Sequence, residues 1–142
     1  MLVQVMTGLV VCALVLVATS AYGVIHRRRN GRVRVRGRDG GKRLAAAELG
    51  AELGERATLL QFSSAFCAPC RATRRVLGEV AGMVPGVTHV EIDAEDHLDL
   101  VRELDILKTP TVLVLDADGR IVRRATGQPR KADVIAALGE AV

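Results

Sequence analysis

The sequence predicts an α/β fold, in which helices flank a mixed central sheet and one transmembrane helix precedes the domain. Three observations predict it: an uncharged apolar run over residues 2–25, alternating apolar strands and amphipathic helices after residue 44, and a two-strand hairpin before the last helix. A chain of 142 residues accommodates one ordinary domain and an appendage. We therefore expect a single hydrophobic core.

The N-terminal run is long enough to cross a bilayer. At ~1.5 Å per residue, a helix over residues 2–25 spans a hydrocarbon core of about 30 Å. A cleaved signal peptide is the alternative, but it requires a basic start, a shorter apolar run and a small-residue cleavage site. The first six residues carry no base, and Ala18-Thr19-Ser20 is a poor cleavage motif. We expect an uncleaved single-pass anchor over residues 1–25, in the cell membrane.

The net charge of +4 is concentrated in one segment. Residues 26–43 carry eight Arg and one Lys against a single acid, whereas residues 44–142 are mildly acidic. Positive charge beside a membrane span favours the cytoplasmic side, so we expect the domain in the cytoplasm. The basic linker over 26–43 either contacts anionic lipid headgroups or only solubilises the chain. With no Trp and few aromatic residues, the chain lacks a stacking platform, which argues against nucleic acid as a partner.

Periodicity and turn residues predict the elements of the domain, residues 44–142. Arg32–Arg36 alternates with period two and is a candidate edge strand ahead of it. The predicted strands are 58–63, 87–93, 111–115 and 120–125, and the predicted helices are 45–54, 67–83, 96–104 and 130–141. Asp93 or Asp96 is the expected N-cap of the third helix, and Asp116-Ala117-Asp118-Gly119 is a hairpin turn. The expected core-facing side chains of the second and last helices are Ala72, Val76, Leu77, Val80, Met83, Val134, Ile135 and Leu138.

The motif Cys67-Ala68-Pro69-Cys70 lies between a predicted strand and a predicted amphipathic helix. Thiolate is the attacking species in disulfide exchange, and a free thiol with a pKa near ~8.5 is mostly protonated at neutral pH. A helix N-terminus lowers the pKa of a thiol placed there, because it offers unpaired N–H groups and partial positive charge. Arg71 and Arg74 add positive charge nearby. The spacing predicts that Cys67 attacks a partner disulfide and that Cys70 resolves the mixed disulfide.

Two separate motifs make residues 44–142 similar to the thioredoxin family. Phe66-Cys67-Ala68-Pro69-Cys70 resembles the Trp-Cys-Gly-Pro-Cys active site, and Lys108-Thr109-Pro110-Thr111 resembles the cis-proline loop. The resemblance implies a thioredoxin-like fold, in which Pro110 packs beside the dithiol and the backbone of Thr109 pairs with bound substrate. The implied motif and groove residues are Phe66, Ala68, Pro69, Thr109, Pro110 and Gly127. Gly41-Lys42-Arg43-Leu44 resembles, less specifically, the membrane-anchored TlpA-like branch.

The sequence departs from the family at its proton relay. Members usually carry a buried Asp six residues before the first Cys, and Gln61 occupies that position here. The Lys that partners the Asp aligns with His89. Gln61 cannot accept the proton of Cys70, so His89 is either a substitute base or a hydrogen-bonded strand histidine. Gln61 and His89 are therefore the candidate proton relay.

We expect a membrane-anchored thiol-disulfide oxidoreductase that acts as a protein-disulfide reductase in cell redox homeostasis. Its expected partners are a disulfide-bearing protein substrate, an upstream thiol electron donor and the lipid bilayer, which residues 2–25 enter. No cofactor is expected. No metal is expected either, because only three His and carboxylates, and no second C-x-x-C, remain to complete a zinc shell with Cys67 and Cys70. The alternatives are a redox-inactive thioredoxin-fold binding module and an extracytoplasmic reductase that serves cytochrome c maturation.

Overall fold

The computed structural model describes residues 1–29, 32–34 and 39–142. The elements in chain order are α1 (Leu2–Arg29), β1 (Val33–Arg34), α2 (Ala46–Leu49), β2 (Ala57–Ser63), α3 (Ala68–Met83), β3 (Val87–Asp93), α4 (Leu98–Glu103), β4 (Thr111–Asp116), β5 (Ile121–Thr126) and α5 (Lys131–Ala141). The predicted mixed sheet with flanking helices is confirmed.

Five strands form one sheet in the order β1-β5-β4-β2-β3. β2 and β3 are parallel, and the other neighbouring strands are antiparallel. One row across all five strands contains Val33, Ala125, Val112, Gln61 and Glu91. Since β2 and β5 run in the same direction, their C-terminal ends lie at the same end of the sheet. The N-terminal ends of the antiparallel strands β4 and β1 lie there as well.

Helices cover both faces of the sheet. On one face, Leu59 packs in a cluster with Leu77 of α3 and Val134 of α5. On the other face, Phe62 packs in a cluster with Leu100 of α4. Successive side chains of a strand point to opposite faces, and β2 is buried along its whole length. This burial on both sides is the reason that β2 is a nearly continuous apolar run in the sequence.

The predicted hairpin between β4 and β5 is confirmed. The Asp116 carboxylate accepts hydrogen bonds from the backbone N–H groups of Asp118 and Arg120, each at 2.9 Å. Gly119 has a φ of 78°, and a Cβ atom there would lie 2.2 Å from the Leu44 carbonyl oxygen. The turn therefore requires glycine both for its backbone conformation and for its close contact with the chain ahead of α2.

Helix α1 is apolar, and none of its residues is buried. Among the described residues it is the one helix that is long and apolar enough to cross a membrane, and a signal sequence meets the same criteria. The hydroxyls of Thr7 and Thr19 donate hydrogen bonds to the carbonyls of Val3 and Val15, each at 2.8 Å. These two polar groups are thus satisfied within the helix itself.

Parts of the segment that the sequence assigns to a linker pack against the domain. Val33 lies in an edge strand, as predicted, and the structure pairs this strand with β5. Val35 and Arg36 of the predicted strand lie outside the described residues. The Asp39 carboxylate accepts two hydrogen bonds from the Arg124 guanidinium, at 2.7 and 2.8 Å. Arg124 also donates to the Leu104 carbonyl at 2.8 Å. The folded unit therefore includes residues upstream of Leu44, since Asp39 supplies the charge that pairs with the buried Arg124 of β5.

Two helices differ from the prediction at their ends. Helix α2 ends at Leu49 and not near Gly54, because Gly50 adopts the left-handed conformation that terminates helices. Gly54 serves another purpose, since a Cβ atom there would lie 2.1 Å from the Ala57 carbonyl oxygen. Helix α4 begins at Leu98 with His97 as its N-cap, so neither predicted N-cap is correct. The Asp93 carboxylate instead accepts the N–H of Glu95 at 2.9 Å and forms a turn before the helix.

The buried faces of α3 and α5 are also rotated from the predicted ones. Helix α3 buries Cys70, Thr73, Leu77 and Val80. Met83 is 58% exposed because it lies at the end of the helix, and Ile135 of α5 is 42% exposed because Ala137 takes the inward position. The 0%-exposed Thr73 hydroxyl is the one buried side-chain polar atom without a hydrogen bond in the part of the chain that the structure describes.

Candidate active site

The two motif cysteines lie where β2 passes into α3. Cys67 is the N-cap of α3, and its sulfur accepts a hydrogen bond from the Cys70 N–H at 3.2 Å. The two sulfurs form a disulfide with an S–S distance of 2.06 Å. Cys70 is 2% exposed, whereas Cys67 is half-buried. A helix N-terminus stabilises an anion at the N-cap, so the accessible sulfur is also the one placed to be a thiolate.

The loop before β4 lies against this disulfide. The Thr109-Pro110 peptide bond is cis. The Thr109 hydroxyl lies 3.8 Å from the Cys67 sulfur and 2.8 Å from the Ser64 hydroxyl. The Gly127 N–H donates to the Pro110 carbonyl at 2.8 Å. The structure thus places Thr109 against Cys67 and joins Gly127 to Pro110, the residue that follows Thr109. The roles of these three residues in substrate binding stay predictions.

The remaining motif residues form an exposed rim around Cys67. Phe66 has a φ of 59° and is 103% exposed. Ala68 and Pro69, in the first turn of α3, are exposed as well. Pro69 suits this turn because its missing N–H would have no partner within the helix. Cys67 is therefore flanked by exposed apolar side chains.

Gln61 lies under α3 and is fully buried. Its Nε2 donates to the Cys70 carbonyl and to the Ser63 hydroxyl, each at 2.9 Å. Its Oε1 lies 3.0 Å from His89 Nε2. Since an amide oxygen only accepts hydrogen bonds, His89 Nε2 carries a proton in this arrangement. Gln61 thus contacts the backbone of Cys70, and its assignment to the proton relay stays a prediction.

His89 reaches Gln61 and not the cysteines. Burial holds the pKa of His89 below its usual value, against the opposing effect of the nearby Glu91 carboxylate. Gln61 lies between the imidazole and the Cys70 backbone. This geometry is that of a hydrogen-bonded strand histidine, and the role of a base for Cys70 would require the proton to pass through Gln61.

Glu91, the acid that bonds to Ser63 and Arg74 beside Gln61, was not predicted as a site residue. Glu91 lies next to Gln61 in the parallel register of β2 and β3, and it accepts a hydrogen bond from Ser63 Oγ at 2.6 Å. Arg74 donates to Glu91 through Nη2 at 2.8 Å and lowers the pKa of that carboxyl. Arg74 was expected to add positive charge near Cys67, but it is neutralised by Glu91. The available signal was the same-face spacing of His89 and Glu91, two residues apart on one strand.

Among the described residues, no group of three or more His, Cys, Asp or Glu side chains is arranged to hold a metal ion. Cys12, the third cysteine, lies on α1, where it is exposed and forms no disulfide.

Comparison with known proteins agrees with this geometry. The chain is 28% identical over 69 residues to thioredoxin H5 of Oryza sativa, covering 49% of this chain and 51% of that one. It is 29% identical over 85 residues to the thioredoxin of Mycobacterium bovis, covering 59% and 72%. The chain spans about half the length of the plant relatives that it matches.

A solved structure shows the same fold. A mutant thioredoxin from Halobacterium salinarum superposes with a TM-score of 0.56 at 18% identity, covering 61% of this chain and 75% of that one. The thioredoxin family model matches residues 43–140, which is more than half of the chain. The fold is thus thioredoxin-like, and the chain belongs to the thioredoxin family.

Proposed function

We propose that this protein is a membrane-anchored thiol-disulfide oxidoreductase that reduces disulfides of other proteins. The observation that carries the proposal is the half-buried Cys67 at the N-terminus of α3, bonded to the buried Cys70 and in contact with Thr109. The family match supports the general class of reaction. The choice of a reductase is our own inference.

The reaction begins from the reduced protein. The Cys67 thiolate attacks one sulfur of the partner disulfide, so a Cys67–partner bond forms and the second partner sulfur leaves as a thiolate that takes up a proton. Cys70 then loses its proton and attacks the Cys67 sulfur. This step forms the Cys67–Cys70 disulfide and releases the first partner sulfur as a thiolate. Two electrons pass to the partner, and an upstream dithiol must return them.

Burial divides the two roles. A partner can reach the Cys67 sulfur because that side chain is only half-buried. Cys70 is 2% exposed, so its sulfur can attack only the Cys67 sulfur, to which the partner is already bonded. Thr109, which would pair with the bound substrate, lies 3.8 Å from the Cys67 sulfur through its hydroxyl. The accessible sulfur is therefore the nucleophile, and the buried one is the resolving thiol.

We also propose that α1 stays attached as an anchor, with the domain in the cytoplasm. Helix α1 has no buried residue, and its last turn contains His26-Arg27-Arg28-Arg29. The hydroxyls of Thr7 and Thr19 are hydrogen-bonded within the helix. Positive charge at the end of a span favours the cytoplasmic side. A reporter fused after Val142 should behave as cytoplasmic, and alkaline phosphatase activity from that fusion would place the domain outside.

Insulin reduction tests the chemistry, with Cys12→Ser in every variant so that α1 contributes no thiol. The full chain in detergent micelles should reduce insulin disulfides. Cys70→Ser should accumulate mixed disulfides, because the resolving thiol is absent, while Cys67→Ser should neither reduce nor accumulate. Accumulation by Cys67→Ser and none by Cys70→Ser would reverse the two roles. Loss of activity in neither variant would show that the dithiol is not the site.

A further inference from the structure

The chain enters the domain at the end of the sheet where β2 leads to Cys67 and Cys70, which we call the dithiol edge. Val33 lies opposite Ala125, and the same row continues through Val112 to Gln61, whose side chain donates to the Cys70 carbonyl. β1 and β2 run in opposite directions, since three antiparallel pairings separate them. The chain before Val33 therefore continues in the direction in which β2 leads to the cysteines, away from the β4–β5 turn.

The connection to α1 is short. Helix α1 ends at Arg29 and β1 begins at Val33, and four residue steps span at most about 14 Å when fully extended. Val33 lies three strand spacings from Gln61, which is about 14 Å at ~4.8 Å each. Gln61 and the dithiol edge beside it thus lie within roughly 30 Å of the end of α1. The β4–β5 turn lies at the opposite end of the strands, about 20 Å from the row that contains Val33 and Gln61.

The dithiol edge also presents apolar side chains. Phe66 is 103% exposed and Leu107 is 86% exposed, the two highest values for large apolar side chains in residues 39–142. Phe66 directly precedes Cys67, and Leu107 lies in the loop between α4 and β4 that contains Thr109 and Pro110. Exposed apolar side chains around a reactive group are typical of a surface that binds a partner.

From this placement we propose that the dithiol edge faces the bilayer and acts on cysteine pairs of membrane proteins close to the membrane surface. The inference rests on the proposed function, since it names the substrate class of the same site. A partner cysteine more than a few tens of ångströms above the bilayer is out of reach, because β1 fixes the short connection to the dithiol edge. Phe66 and Leu107 contact the membrane-protein partner as the sulfurs meet.

Energy transfer from the domain to acceptor-labelled lipid headgroups tests the orientation. The full chain, with Cys12→Ser, is placed in nanodiscs of phosphatidylcholine and phosphatidylglycerol. One variant carries Cys70→Ser and a fluorophore on Cys67. The matched control carries Cys67→Ser, Cys70→Ser and Ala117→Cys, with the fluorophore on the β4–β5 turn. The Cys67 label should lie nearer to the headgroups by about 20 Å, the length of the strands between the two sites.

Equal distances for the two labels, or a shorter one from the turn, would overturn the proposal. A Gly/Ser insertion of about 20 residues after Arg29 adds roughly 25 Å of reach and should abolish the difference; a difference that survives the insertion would show that the short connection does not set the orientation. Insulin reduction by the unsubstituted chain in the same nanodiscs tests the proposed function separately. Activity with equal distances refutes only the orientation, and failure to enter nanodiscs refutes the anchor and the orientation together.

Discussion

Replacing Gln61 with Glu should speed the resolving step of disulfide exchange and destabilise the domain at the same time. The carboxyl has nearly the shape of the amide and occupies a fully buried position. One oxygen would take the place of Nε2, 2.9 Å from the Cys70 carbonyl oxygen, and the other would keep the 3.0 Å contact with His89. A carboxylate cannot donate to a carbonyl, so burial and this oxygen both raise the pKa of the introduced group.

The stability cost follows from the hydrogen bonds of Gln61. The amide donates to the Cys70 carbonyl and the Ser63 hydroxyl, whereas a protonated carboxyl replaces one of these bonds. The acid form should therefore lower the free energy of unfolding by about 1–3 kcal/mol. Because the folded pKa exceeds the unfolded value of about 4.3, a further loss of about 1.4 kcal/mol per pH unit accumulates above that pH, until the carboxyl ionises in the folded state.

The gain in rate arises at Cys70. This thiol must lose its proton while it is 2% exposed, and burial disfavours the thiolate. A well-positioned base contributes about 10²–10⁴-fold. We expect about tenfold near neutral pH, below that range, because Gln61 contacts the Cys70 carbonyl and no contact with its sulfur is present among the described hydrogen bonds.

The assay isolates the resolving step. Cys67 is first converted to a mixed disulfide with a chromogenic thiol, and release of that thiol is followed from mildly acidic to mildly basic pH. Gln61→Met is the matched control, because it removes the same hydrogen bonds without adding a base. If Gln61→Glu and Gln61→Met share one pH–rate profile, the introduced carboxyl does not take the proton of Cys70.

Three further predictions concern stability, measured by pulse proteolysis in urea on the full chain in micelles. Arg124→Leu should cost about 3–5 kcal/mol, because it leaves Asp39 buried without its partner, and adding Asp39→Leu should recover part of the loss; a further loss would contradict the pairing. The folded pKa of His89 is lowered by burial, so the unfolded state takes up the proton first and stability should fall as the pH drops below about 6.5. His89→Gln should remove that slope, and an unchanged slope would assign it to another group. Gly119→Ala should cost about 1–3 kcal/mol, whereas the open helical site Gly139→Ala should gain up to about 1 kcal/mol; equal effects would mean that the turn tolerates a side chain.

Local patterns predicted the elements whose causes lie in consecutive residues. The strand β2, the helix α3 and the β4–β5 turn are each specified by burial period, cap or turn residues within a few positions. The helix ends were predicted less well. Helix α2 was predicted to end near Gly54, and only the structure shows that Gly50 is its C-cap and that Gly54 lies in close contact with the Ala57 carbonyl.

The candidate site divides in the same way. The spacing of Cys67 and Cys70, and the loop at Pro110, were identified from the sequence because each is a short motif. The Arg74–Glu91 pair was not, because the two residues lie on different elements and meet only when α3 crosses over β3. The partner of the Gln61 oxygen, His89, was identified through alignment with a known family, and the structure connects it to the Cys70 carbonyl through Gln61.

Neighbouring residues are enough to specify the apolar N-terminal helix, the α/β domain and the dithiol at a strand-to-helix junction. The pairing of the buried charges, and the end of the sheet at which the chain enters the domain, follow from the folded arrangement of the strands. Asp39 and Arg124 are 85 positions apart, and Val33 shares a row with Gln61 only through two intervening strands. Such contacts depend on strand order and register, which are set by burial of both sheet faces at once and not by any one segment.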